Sequence, residues 1–573
     1  MNQKECKKWS LGISYGHHES SCCLMSNEGD IYFVREEWLS RVKLDYRFPI
    51  QSINYLKKYL TDGVIDKVVH FQKPLKNWLS IGTEKKLSKG NYILKLRQFK
   101  KSDIFLENEL KKIIGNKFDL HYSPHHLSHA LSSSFFAKKC TNKLFLVLDG
   151  YGDGMSGIVL DSAYNEIQSF TNKQSLGLVY SALTEWAGFS PNEDEYKIMA
   201  LAAYGKPIYF DFIQKELIVI EASGKIMINE RYFNFTDISL SPLKANFFRK
   251  FGTVNSKNNQ NYKANKDKLL CDVVCSFQRV IEDTVTKLIR FITQKFPNTK
   301  QLICSGGLFH NSVMVGVLED SFKNIDISVP PCPGDGGSSL GAAFFGLLKL
   351  DKNFINMNMY DLPLSPFIGP KADSLEPYSN LFKKIVSNKK TLNFAKSLLE
   401  SDHCFGVFDG LFEIGPRALG ARSLITNADS KKAVKNLNEM IKQRESFRPL
   451  AIMLNEKKFK VVFNSTNINS SNLLWMGRVA WAKNNKQKYK FLHHDFSSRP
   501  QLVSSKTNSF RHIPNLLRNL IKDGFTLANT SFNIAGDPMV FSIEDLYINC
   551  IRMKLKFIYS DGNFYEVINE NNI

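Results

Sequence analysis

The sequence predicts an α/β fold whose N-terminal part is built twice. Residues 9–35 and 143–170 share one grammar of strand, polar turn, strand, turn and strand. Between 269 and 350 apolar strands alternate with stretches of helical periodicity, and beyond a Pro-rich stretch strands and helices resume near residue 390. The length of 573 residues fits roughly three or four units of ~100–200 residues.

The first copy reads as strands at Trp9–Tyr15, Ser21–Met25 and Ile31–Arg35, with turns at Gly16–Ser20 and Asn27–Asp30. In the second, LFLVLDG is a buried strand, Gly150–Gly154 a Gly/Asp turn, and Ser156–Leu160 and Ile167–Phe170 are strands. Two hairpins, each sending a polar loop from a strand end, imply a ligand cleft between the halves. Leu269–Lys295 reads as helix, Gln301–Cys304 as a strand running into Gly306-Gly307, and Leu340–Leu350 as a helix after the loop Pro330–Gly337. Asp351–Glu376, rich in Asn, Pro and Ser, reads as a linker. The expected domains are 1–350 and 390–573, joined by 351–389, and the last carries strands at Phe405–Phe408, Phe525–Ala528 and Phe557–Tyr559.

Composition narrows the function classes. Hydrophobic residues at 43% and charged residues at 23% exclude a disordered or fibrous chain. A net charge of +21 suits nucleic acid, a membrane surface or a phosphate ester alike, but most Lys stand singly; Lys67–Lys76 and Lys95–Lys101 are the patchy runs. The 10 Cys form no CxxC pair, as expected of reduced thiols. MNQKECKKWSLGISYG lacks a signal-peptide core, and Leu340–Leu348 is about half of the ~20 residues that a spanning helix needs. A soluble, cytoplasmic protein with no membrane partner is expected.

Chemistry concentrates in two places. His125 and His129 stand four apart, so a helix presents both imidazoles on one face, a spacing that suits a metal and that core or surface histidines also show. Asp149 ends an apolar strand and Asp335 precedes a helix; together they complete a mixed N/O set suited to Fe, Mn or Zn. Each Asp alone also reads as a turn or cap residue. Gly306-Gly307, followed by Asn311, lets backbone amides approach an anion. Farther on, Arg417, Arg422, Lys442, Arg444 and Arg448 crowd Gly- and Pro-containing text, as in a polyanion pocket, with a charged helix face as the plainer reading. Arg499, Asn529, Ser531 and Asn533 add donors at further strand ends.

These stretches resemble a known family. GISYGHHESS, EEWLSRVKLDYRFP, HHLSHA, LDGYGDG, EDEYKIMALAAYG, CSGGLFHN, PPCPGDGGSSLGAA, EIGPRALGARS, IKQRESFRPLA and NTSFNIAGDP follow the order found in ATP-dependent O-carbamoyltransferases of the nodulation-factor and antibiotic-tailoring type (NodU/CmcH type). The resemblance implies a duplicated actin- and sugar-kinase-like (ASKHA) N-terminal domain and a C-terminal YrdC-like α/β domain. It implies that carbamoyl phosphate and Mg-ATP give carbamoyl-adenylate and pyrophosphate in the second domain, with Arg417, Arg422, Lys442, Arg448, Arg499, Asn529 and Ser531 at substrate-binding positions and Lys442 and Arg448 as catalytic groups. It implies an iron-type ion on His125, His129, Asp149 and Asp335, where the carbamoyl group passes to an acceptor hydroxyl. His18, Glu195 and Lys197 match acceptor-side positions, with His18 the expected proton acceptor. Glu19, Trp38 and His494-Asp495-Phe496 depart from the family pattern, which leaves the acceptor open. Expected partners are ATP, carbamoyl phosphate and a hydroxyl-bearing acceptor, with a homodimer also expected and nucleic acid not. A tRNA threonylcarbamoylation enzyme, which the charge would suit, and a non-catalytic nucleotide-binding scaffold are the alternatives.

Overall fold

The computed structural model describes residues 7–16, 18–60, 64–73, 105–235, 241–254, 263–351, 363–465, 467–483, 489 and 491–568. They form two compact units, Met1–Ile31 with Tyr46–Leu362, and Tyr32–Asp45 with Pro363–Ile573. The run Lys95–Lys101 and part of Lys67–Lys76 lie outside the described residues, as does part of the expected linker.

In the first unit the repeated grammar becomes a repeated topology. β1 (Trp9–Ser14) pairs antiparallel with β2 (Ser21–Ser26) and parallel with β4 (Lys67–His70), which pairs parallel with β5 (Asp119–Tyr122); β3 (Ile31–Arg35) runs on from β2. In the same way β6 (Lys143–Gly152) pairs antiparallel with β7 (Met155–Leu160) and parallel with β11 (Gln301–Ser305), which pairs parallel with β12 (Asp326–Ser328), while β8 (Glu166–Thr171) continues from β7. β9 (Ile218–Ile220) and β10 (Ile226–Ile228) form a separate hairpin. β1 is buried along its whole length, as continuous apolar strands in a helix-covered sheet are.

Two glycines let the central helices close in. A Cβ on Gly12 would stand 2.0 Å from the Ser339 carbonyl oxygen, and one on Gly341 would stand 1.9 Å from that of Ser128. The helix Ser338–Leu350 therefore lies directly on β1 and on the helix His125–Ser134. This close approach brings the start of one helix next to the turn that begins the other.

The second unit is built on a nine-stranded sheet, in the order β14 (Phe382–Ser387), β23 (Asn563–Val567), β22 (Phe557–Ser560), β15 (Phe405–Phe408), β17 (Arg422–Asn427), β21 (Leu527–Ser531), β18 (Ala451–Leu454), β20 (Ser497–Leu502), β19 (Ala480–Trp481). One face carries Phe408, Leu424, Ile452, Leu454 and Ala528 into the main core. The Pro-rich stretch expected as a linker contributes to this unit: beyond the undescribed 352–362 it forms β13 (Phe367–Lys371), paired antiparallel with β16 (Leu411–Glu413). That two-strand sheet asks little of Pro370, since an edge strand tolerates a missing N–H. The expected strand at Phe525 begins instead at Leu527, because Gly524, at φ +98°, and Phe525 close the preceding helix, the Phe525 amide donating to the Leu520 carbonyl at 3.1 Å.

The segment Tyr32–Asp45 is a structural part of the second unit. Trp38, fully buried, stacks on Phe412 with centroids 4.1 Å apart and planes 13° apart. Arg41 pairs with Asp545 at 2.9 Å and donates to the carbonyls of Met539 at 2.8 Å and Pro538 at 3.1 Å.

Candidate functional site

In the first unit the helix His125–Ser134 starts after Pro124, which suits an N-terminal position, and its first backbone N–H is taken by Asp153 Oδ2 at 2.8 Å. That fixes the first turn, so His125 and His129 project one turn apart. Asp149, on β6, and Asp335, in the short turn before the helix Ser338–Leu350, face them. His125 Nε2 lies 2.9 Å from Asp149 Oδ2, His129 Nε2 lies 3.1 Å from Asp335 Oδ1, and the two Nε2 atoms are 3.2 Å apart. All four side chains are buried, and one ligand atom from each falls within 4.8 Å of the others.

The surroundings orient these groups. The Pro333 carbonyl accepts from His129 Nδ1 at 3.0 Å, which leaves Nε2 as the nitrogen aimed at the centre. The other Asp149 oxygen accepts from the amides of Gly150 at 2.9 Å and Gly307 at 2.8 Å. Burial works against charge on His129, yet the carboxylates of Asp149 and Asp335 hold its proton and its pKa is pushed up to about 10. Against the same desolvation, His125 and His129 keep Asp149 well below the usual carboxylate range, and His125 and His129 lower Asp335. The centre therefore favours a positive charge, which a proton or a divalent cation can supply. Two imidazoles and two carboxylates, converging and oriented from behind, are a donor set that fits Fe, Mn or Zn. Burial, and next the neighbouring His125, hold His126 well below its ordinary value, so this third histidine stays neutral.

The second unit gathers cations around one end of its sheet. Register places Arg499 opposite Ala451 and Ala451 opposite Asn529, so Arg499 and Asn529 share a face with only a methyl between them. The loop bearing Arg417 is tied to that face: the Ala418 carbonyl accepts from Asn529 Nδ2 at 2.9 Å and the Leu419 carbonyl from Gln501 Nε2 at 2.9 Å. Burial, and then Arg499, push the Arg417 guanidinium well down; burial, and then Arg448, bring Arg499 down to about 10. Burial lowers Lys442 likewise, with Arg444 and Arg448 next. Cations crowded closely enough to depress one another have the charge to hold an anion.

Several of these residues, and the other expected ones, are engaged locally or face elsewhere. Arg422 is in register with Phe408, on the core face, opposite to Arg499; its guanidinium donates to the carbonyls of Asp409 at 3.0 Å and Ala421 at 3.1 Å and lies 4.4 Å over the Phe408 ring. Lys442 Nζ donates to the Ser531 carbonyl at 2.8 Å, to Asn533 Oδ1 at 2.7 Å and to the Asn533 carbonyl. Arg444 Nε donates to Asn438 Oδ1 at 2.7 Å, and Arg448 pairs with Glu445 at 3.2 Å. Ser531 Oγ donates to Asn533 Oδ1 at 2.6 Å. Gly306 adopts φ +93°, where a Cβ would meet the Leu148 carbonyl oxygen at 2.2 Å, so the double glycine brings the Gly307 amide to Asp149. Asn311 caps the helix Ser312–Ser321 and bonds Gln278 at 2.9 Å. Glu195 accepts from Ser181 Oγ at 2.8 Å, and Lys197 pairs with Asp194 at 3.0 Å. Half-buried His18 sits in the turn after β1; its neighbour Glu19 would lie 2.2 Å from a Cβ on Gly336, next to Asp335.

Two contributors escaped the reading of the sequence. Asp153, in the DGYGDG turn, holds the helix that carries both histidines. Glu413, fully buried at the head of EIGPRALGARS, takes backbone amides of that loop on one oxygen. A carboxylate beside glycines was the available signal in both cases.

Residues 9–344 match the family described as carbamoyltransferase N-terminus, and residues 396–566 the one described as carbamoyltransferase C-terminus. The chain is 28% identical to an uncharacterised protein of Synechocystis, with 96% of this chain and 95% of that one aligned. It is 26% identical to nodulation protein NolNO of Sinorhizobium fredii, over 92% and 76%, and 25% identical to the 3'-hydroxymethylcephem-O-carbamoyltransferase of Streptomyces clavuligerus, over 77% and 79%. Among solved structures, component A of the Acidaminococcus fermentans (R)-2-hydroxyglutaryl-CoA dehydratase aligns with a TM-score of 0.32 and 14% identity over 60% of this chain and 98% of that one. That score is too low to bear on the fold. No described helix is long and apolar enough to cross a membrane.

Proposed function

The chain belongs to the carbamoyltransferase family, and from that premise we propose that it is an ATP-dependent O-carbamoyltransferase working in two stages. In the second unit, carbamoyl phosphate yields its phosphoryl group to water, and the freed carbamate oxygen attacks the α-phosphorus of Mg-ATP. Carbamoyl-adenylate forms, and phosphate and pyrophosphate leave. Arg417, Arg448 and Arg499 neutralise the phosphate oxygens, guanidinium forks gripping them in pairs, while Lys442 supplies a point charge at the carbonyls of Ser531 and Asn533. Asn529 and Ser531 add neutral contacts on adjoining strand positions, and Arg422 supports the sheet behind them.

In the first unit the acceptor hydroxyl oxygen attacks the carbamoyl carbon, AMP leaves, and the hydroxyl proton passes to a base, for which His18 stands in the turn beside Asp335's loop. His125, His129, Asp149 and Asp335 would hold a divalent cation of the iron type, which supplies positive charge for the adenylate phosphate. Glu195, Lys197, Gly306, Gly307 and Asn311 shape the surrounding loops.

The convergence of four ligating atoms within 4.8 Å, in a chain whose two parts both match carbamoyltransferases, is the observation that carries this reading. The relatives act on a cephem, by name, or serve nodulation; for this chain the acceptor is a small-molecule or saccharide hydroxyl. The test is pyrophosphate release from ATP that depends on carbamoyl phosphate, with Lys442→Ala reducing it at least ~100-fold. Release that ignores carbamoyl phosphate overturns the adenylation step.

A further inference from the structure

The loop between β16 and β17 carries Arg417, yet its shape is set from underneath. Glu413 is fully buried, and its Oε1 accepts from the amides of Leu419 at 2.8 Å, Ala421 at 2.8 Å and Arg422 at 3.3 Å. One carboxylate oxygen so gathers three consecutive-turn donors and draws the two ends of the loop together. Three buried amides left without an acceptor are costly. Gly420, at φ +123°, supplies the bend that points these amides inward.

Glu413 is itself held. Its neighbour Phe412 lies under Trp38 at 4.1 Å and beneath the Arg422 guanidinium at 4.9 Å. Phe412 and Phe541 are also near-parallel, 6.3 Å apart. Above the loop, the Ala418 and Leu419 carbonyls are taken by Asn529 and Gln501. The loop is thus clamped between a carboxylate below and two amides above, with Arg417 next to the clamped residues.

We propose that Glu413 is the positioning residue of the anion cradle: by binding the amides of Leu419, Ala421 and Arg422 it fixes the loop that aims Arg417, and so sets affinity for the phosphate-bearing substrate. It touches no substrate and moves no proton. The inference rests on the adenylation reading for its natural ligand, but the loop geometry stands without it.

The test uses the full chain with Glu413→Met, which fills similar space without an acceptor, Glu413→Gln, which keeps an oxygen but no charge, and Glu413→Asp, which keeps the charge but draws the oxygen back. In pyrophosphate release, Glu413→Met is expected to raise the KM for carbamoyl phosphate or ATP about tenfold or more, with kcat within about threefold; Glu413→Asp is expected to show an intermediate rise and Glu413→Gln to stay within about threefold of the parent KM. Should the Met variant not fold, the Asp variant decides: an unchanged KM overturns the inference. So does a loss confined to thermal stability, or a Gln variant as impaired as the Met variant. If the parent protein releases no pyrophosphate, the adenylation reading falls, and this inference is read from the Kd of inorganic pyrophosphate by calorimetry. The same ordering supports it, and equal Kd values, or no binding by the parent protein, overturn it.

Discussion

His125 and His129 face each other through their Nε2 atoms at 3.2 Å, each also within 3.6 Å of both Asp149 Oδ2 and Asp335 Oδ1. Two imidazoles at that distance repel each other when both carry a proton, and the two carboxylates beside them favour positive charge at the centre. A divalent cation held there would compete with protons for that position.

Metal uptake is therefore expected to strengthen as pH rises. His129 must lose a proton whose pKa in the metal-free protein is about 10, so affinity should climb with pH and level off near that value. Titrations of the apoprotein with Fe(II) or Mn(II) at several pH values check this, together with proton release on binding. His129→Ala is expected to weaken binding at least ~100-fold, more than loss of an outer-sphere partner does.

Stability of the metal-free protein should move the other way. His129 has a folded pKa above its ordinary 6.5, so its contribution is complete below about 6.5 and is lost as pH rises towards about 10. Asp149 and Asp335 are depressed below 3.8, so theirs is present above that value and lost as pH falls through their folded values. Urea midpoints of EDTA-treated protein should peak on the acid side of neutrality, and metal should flatten the alkaline decline.

Gly152→Ala should injure the candidate ligand set at His125 while leaving the fold intact. A Cβ there would stand 2.2 Å from His125 Cδ2, and the ring must move off its place between Asp149 and His129. The expected result is a folded protein, by circular dichroism, that retains at most about a tenth of the parent's bound metal under equal loading.

Arg499→Ala should weaken nucleotide binding. Removing one charge-assisted contact costs about 1.5–3 kcal/mol, or a KM for ATP raised ~10- to 100-fold. Steady-state pyrophosphate release measures it, and a KM unchanged from the parent's would place ATP elsewhere.

Trp38→Ala should destabilise the second unit from a position far away in sequence. Losing a fully buried indole stacked on Phe412 costs about 3–5 kcal/mol, and Trp38→Phe should recover part of it. Urea denaturation followed by circular dichroism reads the difference.

The repeated hairpins at 9–35 and 143–170 were legible because short apolar runs broken by Gly/Asp turns are a local signal. The helices at 268–295 and 338–350 were legible from apolar spacing and apolar runs, and the four side chains that converge as a candidate ligand set from residue type, spacing and family likeness. The strands at Phe367–Lys371 and Phe382–Ser387 were hidden, since Pro and polar residues near a sheet edge look like linker text until a partner strand is known. Arg422 reads identically to Arg417 in GPRALGARS. The side that each faces depends on where β17 begins and on its pairing with β15, which puts Arg422 on the core face with Phe408.

By itself the sequence determined the α/β class, the internal duplication and the inventory of groups able to hold a cation or an anion, because short-range periodicity and side-chain chemistry are written in the order of residues. Tertiary structure decided which groups meet: that Asp335 comes within 3.1 Å of His129 although 206 positions separate them, that Glu413 gathers the amides of its own loop, and that Tyr32–Asp45 completes the core of a unit more than 300 residues later. Those are consequences of long-range packing and strand register, whose energy depends on which surfaces close against one another, and no local pattern encodes that choice.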